Sequence, residues 1–171
     1  LDIEMNSVTD NPLLFPEEDK VLSGGNFHGM PMAMALSGVK VAVAVLGSIS
    51  ERRLATLIDP ALNDGLPAFL IDNQDGSRSG LMLCQYTAAS LVNDLATRAH
   101  PAPVTNVPTS CGIEDQVSMG ATEARHVEEM VDDVEQILAL ELLVAAQAIT
   151  LRQRILAGAW PPKDQDGFDG S

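Results

Sequence analysis

The 171-residue sequence is short of aromatics, basic residues and cysteine. Phe, Tyr and Trp make up 4% of the chain, so its core has to be aliphatic, built from Leu, Val, Ile, Met and Ala. Ten Lys and Arg face 24 Asp and Glu, for a formal charge of −14. That balance, with no basic string and no stacking aromatics, argues against recognition of nucleic acid or an anionic membrane surface. The two cysteines, Cys84 and Cys111, form no C-x-x-C pair, and read as two buried thiols in a reducing cytoplasm, with a single structural disulfide as the alternative. No basic segment precedes an apolar one at Leu1-Asp2-Ile3-Glu4, so no signal peptide is expected. The most apolar run, from Pro31 to Gly47, is interrupted by Lys40 and falls short of a membrane span. Histidines 28, 100 and 126 lack metal-ligand spacing, and no serine sits in a G-x-S-x-G context.

What is present is a core-forming composition, 46% hydrophobic and 20% charged, in a mainly α pattern. Residues 1–26 read as a loop-rich first segment, with turns at Thr9-Asp10-Asn11-Pro12 and Ser23-Gly24-Gly25-Asn26 and a solvated excursion at Pro16 to Lys20. A helix apolar nearly all round is expected from about Met30 to Gly47, with a second, shorter one reaching Ile58. Asp59 to Asp75 reads as a long irregular connection, and Ser79 to about Ala99 as another helix. Pro101, Pro103 and Pro108 mark a structured loop over 100–116. From Ser118 to Ala157 apolar residues recur every three or four positions, with acids early and Arg152 and Arg154 late, as the helix dipole favours. About forty residues at about 1.5 Å each make a rod of roughly 60 Å, which calls for partners along its length. The expected architecture is therefore an elongated helical bundle over 27–157 with a long central helix, oligomeric, followed by a tail over 158–171.

Two places carry candidate chemistry. His28 lies in Gly24-Gly25-Asn26-Phe27-His28-Gly29 at a helix start, where a lone histidine is usually structural. The spacing is not that of a dinucleotide-binding turn. Glu114-Asp115 closes the Pro-rich loop before the long helix. It is either an N-terminal cap or a functional carboxylate whose burial would raise its pKa toward that of a useful acid or base.

Taken in order, Asn6-Ser7-Val8-Thr9-Asp10-Asn11-Pro12-Leu13, Gly24 to Gly29, Gly47-Ser48-Ile49-Ser50-Glu51-Arg52-Arg53, Asp59-Pro60, Gly65 to Leu70, Ser79-Gly80, His100-Pro101-Ala102, Pro108-Thr109-Ser110 and Glu114 to Gly120 resemble successive blocks of the aromatic amino-acid ammonia-lyase family, nearest to its histidine-acting branch. The resemblance runs from about Asp2 to Arg154. It implies an all-α fold, a cytoplasmic homotetramer, and elimination of ammonia from an aromatic L-amino acid, with L-histidine to urocanate as the first expectation. It also implies an electrophilic 4-methylideneimidazole-5-one group (MIO) made from an internal Ala-Ser-Gly. That tripeptide is absent here, so the chain is expected to be the C-terminal part of a chain about three times as long, catalytically incomplete without its N-terminal part.

By the same resemblance Glu114 is the catalytic carboxylate that contacts the substrate, and Phe27 packs beside electrophile and substrate. Asn6, Asn11, Asn26 and His28 brace them, and no metal is implied. Four positions depart from the histidine-acting pattern: Ile113 for Gln, Gln116 for His, Arg78 for Asn and Ser37 for Asp. They keep tyrosine and phenylalanine lyases, and the related aminomutases, as alternatives. A non-catalytic helical oligomerisation module is the remaining one.

Overall fold

The computed structural model describes residues 1–72 and 77–160. Of the tail expected over 158–171, residues 161–171 lie outside the described residues. A short helix, α1 (Asp2–Met5), is followed by a two-stranded antiparallel hairpin, β1 (Leu13–Phe15) and β2 (Lys20–Leu22), and then by three helices: α2 (Met30–Ile58), α3 (Met82–Arg98) and α4 (Gly120–Leu156). Single 3-10 turns sit at Asn26–His28, Ala68–Leu70, Ala102–Val104 and Ser110–Gly112.

Residues 1–26 are thus not loop alone. Of Pro16 to Lys20, read as a solvated excursion, Lys20 opens β2 and the rest is the hairpin tip, where a 3-10 turn hands over to Asp19 in the left-handed region. Strands of three residues, mostly exposed on both faces, leave no alternation in the sequence to betray them.

The chain forms two compact units. The first holds Leu1–Val43 and Ala96–Val131; the second holds Ala44–Leu95 and the segment from Asp132 on. In the second, aliphatic side chains form the core: Leu54, Leu95, Ile137, Val144 and Leu151 are fully buried. Each contributes about 1.5–3 kcal/mol by leaving water. In the first, the buried positions include an ion-paired lysine and glutamate, Lys40 and Glu123, as well as Ala33 and Met130.

Helices α3 and α4 lie close to where the periodicity places them. In α4 the buried positions Glu123, Met130, Val134, Ile137, Val144, Ala148 and Leu151 fall on one heptad-spaced seam, with the partly buried Glu141 on the same line. Gly158, at φ +68, ends this helix, and the Gly158 and Ala159 amides bond back to Ile155 and Arg154 carbonyls.

Helix α2 corrects the sequence reading in two ways. It does not stop at Gly47 but runs unbroken to Ile58. Gly47 is buried because a Cβ there would lie 2.4 Å from Leu95 Cδ1 and 3.3 Å from both Ile137 Cδ1 and Val134 Cγ2. The glycine serves close packing and not termination. Nor is α2 covered all round in this chain: Ala33, Lys40, Gly47, Leu54 and Ile58 form a buried stripe, while Met34, Val41, Val45 and Ile49 are exposed.

Unbroken, α2 with its preceding turn is long and apolar enough to cross a membrane, as is α4. The expectation that the apolar run was too short is corrected on that point. Lys40, fully buried against Glu123, marks α2 as packed in protein, since an isolated charge would not persist in an apolar site. The thiol reading is corrected too. Cys84 is half-buried and Cys111 exposed, because Cys111 lies in a turn of left-handed residues on the surface.

Candidate active site

Every residue singled out from the sequence, Asn6, Asn11, Asn26, Phe27, His28 and Glu114, falls in the first unit and on its exposed surface. Asn6 donates through Nδ2 to the Asp2 carbonyl at 2.8 Å, so it closes α1. The Asn11 side chain accepts the Gly24 amide at 3.1 Å and ties the first loop to the glycine-rich turn. Asn26 opens the 3-10 turn Asn26–His28, which Gly29 closes at φ +75, a conformation that favours glycine. Phe27, in that turn, is 56% exposed.

The turn is joined to the loop before α4. His28 Nε2 lies 2.8 Å from the Gln116 carbonyl, so this nitrogen carries the proton and donates it. A Cβ at Gly29 would meet Ser118 Oγ at 3.5 Å, so the two segments approach closely. The bond that His28 makes connects the Phe27 turn to the Glu114 loop.

Loop 100–119 is fixed from below by the buried pair. Lys40 Nζ is 2.6 Å from Glu123 Oε2 and donates to the His100 carbonyl at 2.7 Å. Glu123 Oε1 accepts from Ser37 Oγ at 2.8 Å and from the Ala102 amide at 2.5 Å. Further on, Asn106 clasps Val117 in both directions through its side-chain amide.

Glu114 itself sits at the mouth of a tight turn. Thr109 and Glu114 pair as an isolated antiparallel bridge, with the Thr109 amide 2.9 Å from the Glu114 carbonyl. Between them Ser110, Cys111 and Gly112 all have positive φ, 50, 55 and 87. For the two non-glycine residues this costs on the order of 1–2 kcal/mol each, the sort of strain found where geometry serves function. The turn brings both Thr109 Oγ1, at 2.5 Å, and Ser110 Oγ, at 2.7 Å, onto Glu114 Oε2.

The expectation of a buried Glu114 with a raised pKa is overturned here. The carboxyl is exposed, and the hydrogen bonds from Thr109 and then Ser110 favour its charged form, outweighing desolvation, so its pKa is lowered. Nor does Glu114 cap α4, whose first-turn acid is Glu123. Thr109, Ser110 and Glu123 escaped the sequence reading. The Pro108-Thr109-Ser110 block was a signal for the first two, since hydroxyl residues beside a carboxylate are natural donors.

The aromatic amino acid lyase family model matches residues 1–165. The chain belongs to the aromatic amino acid lyase family. This lyase segment is similar to the histidine ammonia-lyase of Symbiobacterium thermophilum, 57% identical over 149 residues, covering 87% of this chain and 29% of that protein. Its structure is similar to histidine ammonia-lyase from Trypanosoma cruzi, with a TM-score of 0.81 and 41% identity over 95% of this chain and 35% of that one. It is also similar to the tyrosine aminomutase of Streptomyces globisporus, at a TM-score of 0.81 and 39% identity over 88% and 28% of the two chains. The segment thus spans about a third or less of the length of these relatives.

The prosthetic group that the resemblance implies does not fit this segment alone. No Ala-Ser-Gly occurs in its 171 residues, and Phe27 and Glu114 stand on open surface and do not line a closed chamber. What the segment offers is a carboxylate bonded by two hydroxyls of its own loop and an aromatic ring on the turn that His28 joins to that loop.

Proposed function

We propose that the chain supplies one wall of the active site of an ammonia-lyase that eliminates ammonia from L-histidine, giving urocanate. The observation that carries this reading is the identity to histidine ammonia-lyase, 57% across 87% of the chain. The loop geometry agrees with it. In this reading Glu114, charged and held by two hydroxyls, contacts the substrate's amine or imidazole. Phe27 forms the apolar side that keeps water from the reacting atoms. Asn6, Asn11, Asn26 and His28 hold the two loops that present them. The electrophile comes from another segment of the enzyme.

The enzyme is a homotetramer in the cytoplasm. Exposed Met34, Val41, Val45 and Ile49 on α2, with Leu142, Leu143 and Ile149 on α4, are apolar surface of the kind that helix partners cover. A reducing compartment suits the two free thiols.

A second reading has a specific observation behind it. Ile113, next to Glu114 and 85% exposed, offers no hydrogen bond to an imidazole. It favours tyrosine or phenylalanine as substrate, for a lyase or an aminomutase.

Two measurements on the complete enzyme test these readings. Ammonia release is followed with L-histidine, L-tyrosine and L-phenylalanine, and mass spectrometry looks for an Ala-Ser-Gly-bearing segment in the purified material. Glu114→Gln is expected to lower turnover about a hundredfold or more with little change in thermal stability. If no substrate releases ammonia and no such segment is present, the chain is an oligomerisation module and not a working lyase.

A further inference from the structure

The two hydroxyls that meet Glu114 do so on one oxygen. Thr109 Oγ1 and Ser110 Oγ are 2.5 and 2.7 Å from Oε2. Among the described residues none bonds Oε1. We propose that Thr109 and Ser110 are positioning residues that saturate Oε2 and so present Oε1 as the acceptor for the substrate's cationic nitrogen. This rests on the reading of Glu114 as a substrate contact, and adds to it how the carboxylate is aimed.

A glutamate on open surface would ordinarily rotate about three side-chain bonds. Here the backbone bridge between Thr109 and Glu114 fixes the Cα of both residues, and the left-handed turn swings Ser110 back over the carboxylate. Two donors on one oxygen leave a single orientation in which both bonds are kept. They also withdraw charge from Oε2, so the proton that would neutralise the group is held less well. The strain of Ser110 and Cys111 is then the cost of bringing the second hydroxyl into range. The other titratable groups around the loop are Cys111 and Asp115 within it and His28 across the bond to Gln116.

The test uses the complete enzyme with Thr109→Val, Ser110→Ala and Thr109→Ser. The Glu114 carboxyl is titrated by carbon-13 NMR, assigned by its loss in Glu114→Gln, and kcat and KM for L-histidine are measured against pH. Removing either hydroxyl should move the carboxyl midpoint and the acid limb of kcat/KM upward together. It should also lower kcat about tenfold, a loss in keeping with a misaimed group. Thr109→Ser, which keeps a donor, should return the midpoint and limb to their original place. A merely structural role would lower activity and leave both where they were, and unmoved values overturn the proposal. A shifted midpoint in an enzyme that releases no ammonia from L-histidine supports the hydroxyl clamp and sinks the substrate reading instead.

Discussion

Lys40 Nζ lies 2.6 Å from Glu123 Oε2, and both side chains are wholly excluded from solvent. Removing one partner leaves the other charged in a dry site, which costs about 3–5 kcal/mol. Lys40→Met and Glu123→Leu should each lose stability on that scale in urea denaturation of the complete enzyme. The double variant should lose much less than the sum, because neither charge then remains. Its recovery stays partial, since the Ala102 amide loses its acceptor and the His100 carbonyl its donor, while Ser37 keeps the Ala33 carbonyl.

The same pair gives a pH dependence of known sign. Burial alone would push the Glu123 carboxyl up. Hydrogen bonds from Lys40, Ser37 and the Ala102 amide, with the Lys40 charge, outweigh that and hold its pKa below the ordinary value. A folded-state pKa below the unfolded one stabilises fully above the ordinary glutamate range, about 4.3, and the stabilisation is lost as pH falls through the lowered value. The gap in unfolding free energy between the native enzyme and Glu123→Gln should therefore be wide at neutral pH and narrow in acid. A gap that stays constant with pH would show that Glu123 is not ionised in the folded protein.

Two glycines of α2 should respond oppositely to the same substitution. At Gly38 a Cβ meets nothing within 4 Å, so Gly38→Ala gains the helical preference of alanine, about 0.5–1 kcal/mol. At Gly47 the Cβ would strike Leu95, which is fully buried and has no room to retreat. Overpacking of that kind costs about 1–3 kcal/mol, more than the propensity gain. Thermal melts of the two variants check this. A loss at Gly38 would reveal another subunit packed against that face.

Gly47 also shows where sequence reasoning meets its limit. Helices α3 and α4 were legible because their apolar spacing, dipole-matched charges and flanking prolines agree with one another. Gly47 reads as a stop because local propensity says so, and only the side chain of Leu95, far along the chain, explains its presence. The Lys40 interruption of an apolar run was visible, but its partner was not, since Glu123 looks like any acid in a first helical turn. The family motifs singled out Phe27 and Glu114. They could not reveal that Glu114 is exposed and bonded by its own loop, because exposure and hydroxyl direction follow from the backbone turn at Ser110 to Gly112.

The bond from His28 Nε2 to the Gln116 carbonyl, 2.8 Å long, joins the turn of Phe27 to the loop of Glu114. If it sets the spacing of ring and carboxylate, cutting it should hurt catalysis more than folding. His28→Ala removes one exposed hydrogen bond, and its effect on stability should stay within about 1 kcal/mol. Its kcat/KM should nevertheless fall about tenfold, the cost of a modest displacement between reacting groups. His28→Gln carries a side-chain amide that can donate to the same carbonyl and should keep most of the activity. His28→Asn, one methylene shorter, should not reach it and should behave like alanine. Steady-state kinetics and melting temperatures of the three variants separate the cases. If activity merely tracks stability across them, His28 secures the start of α2 and nothing more.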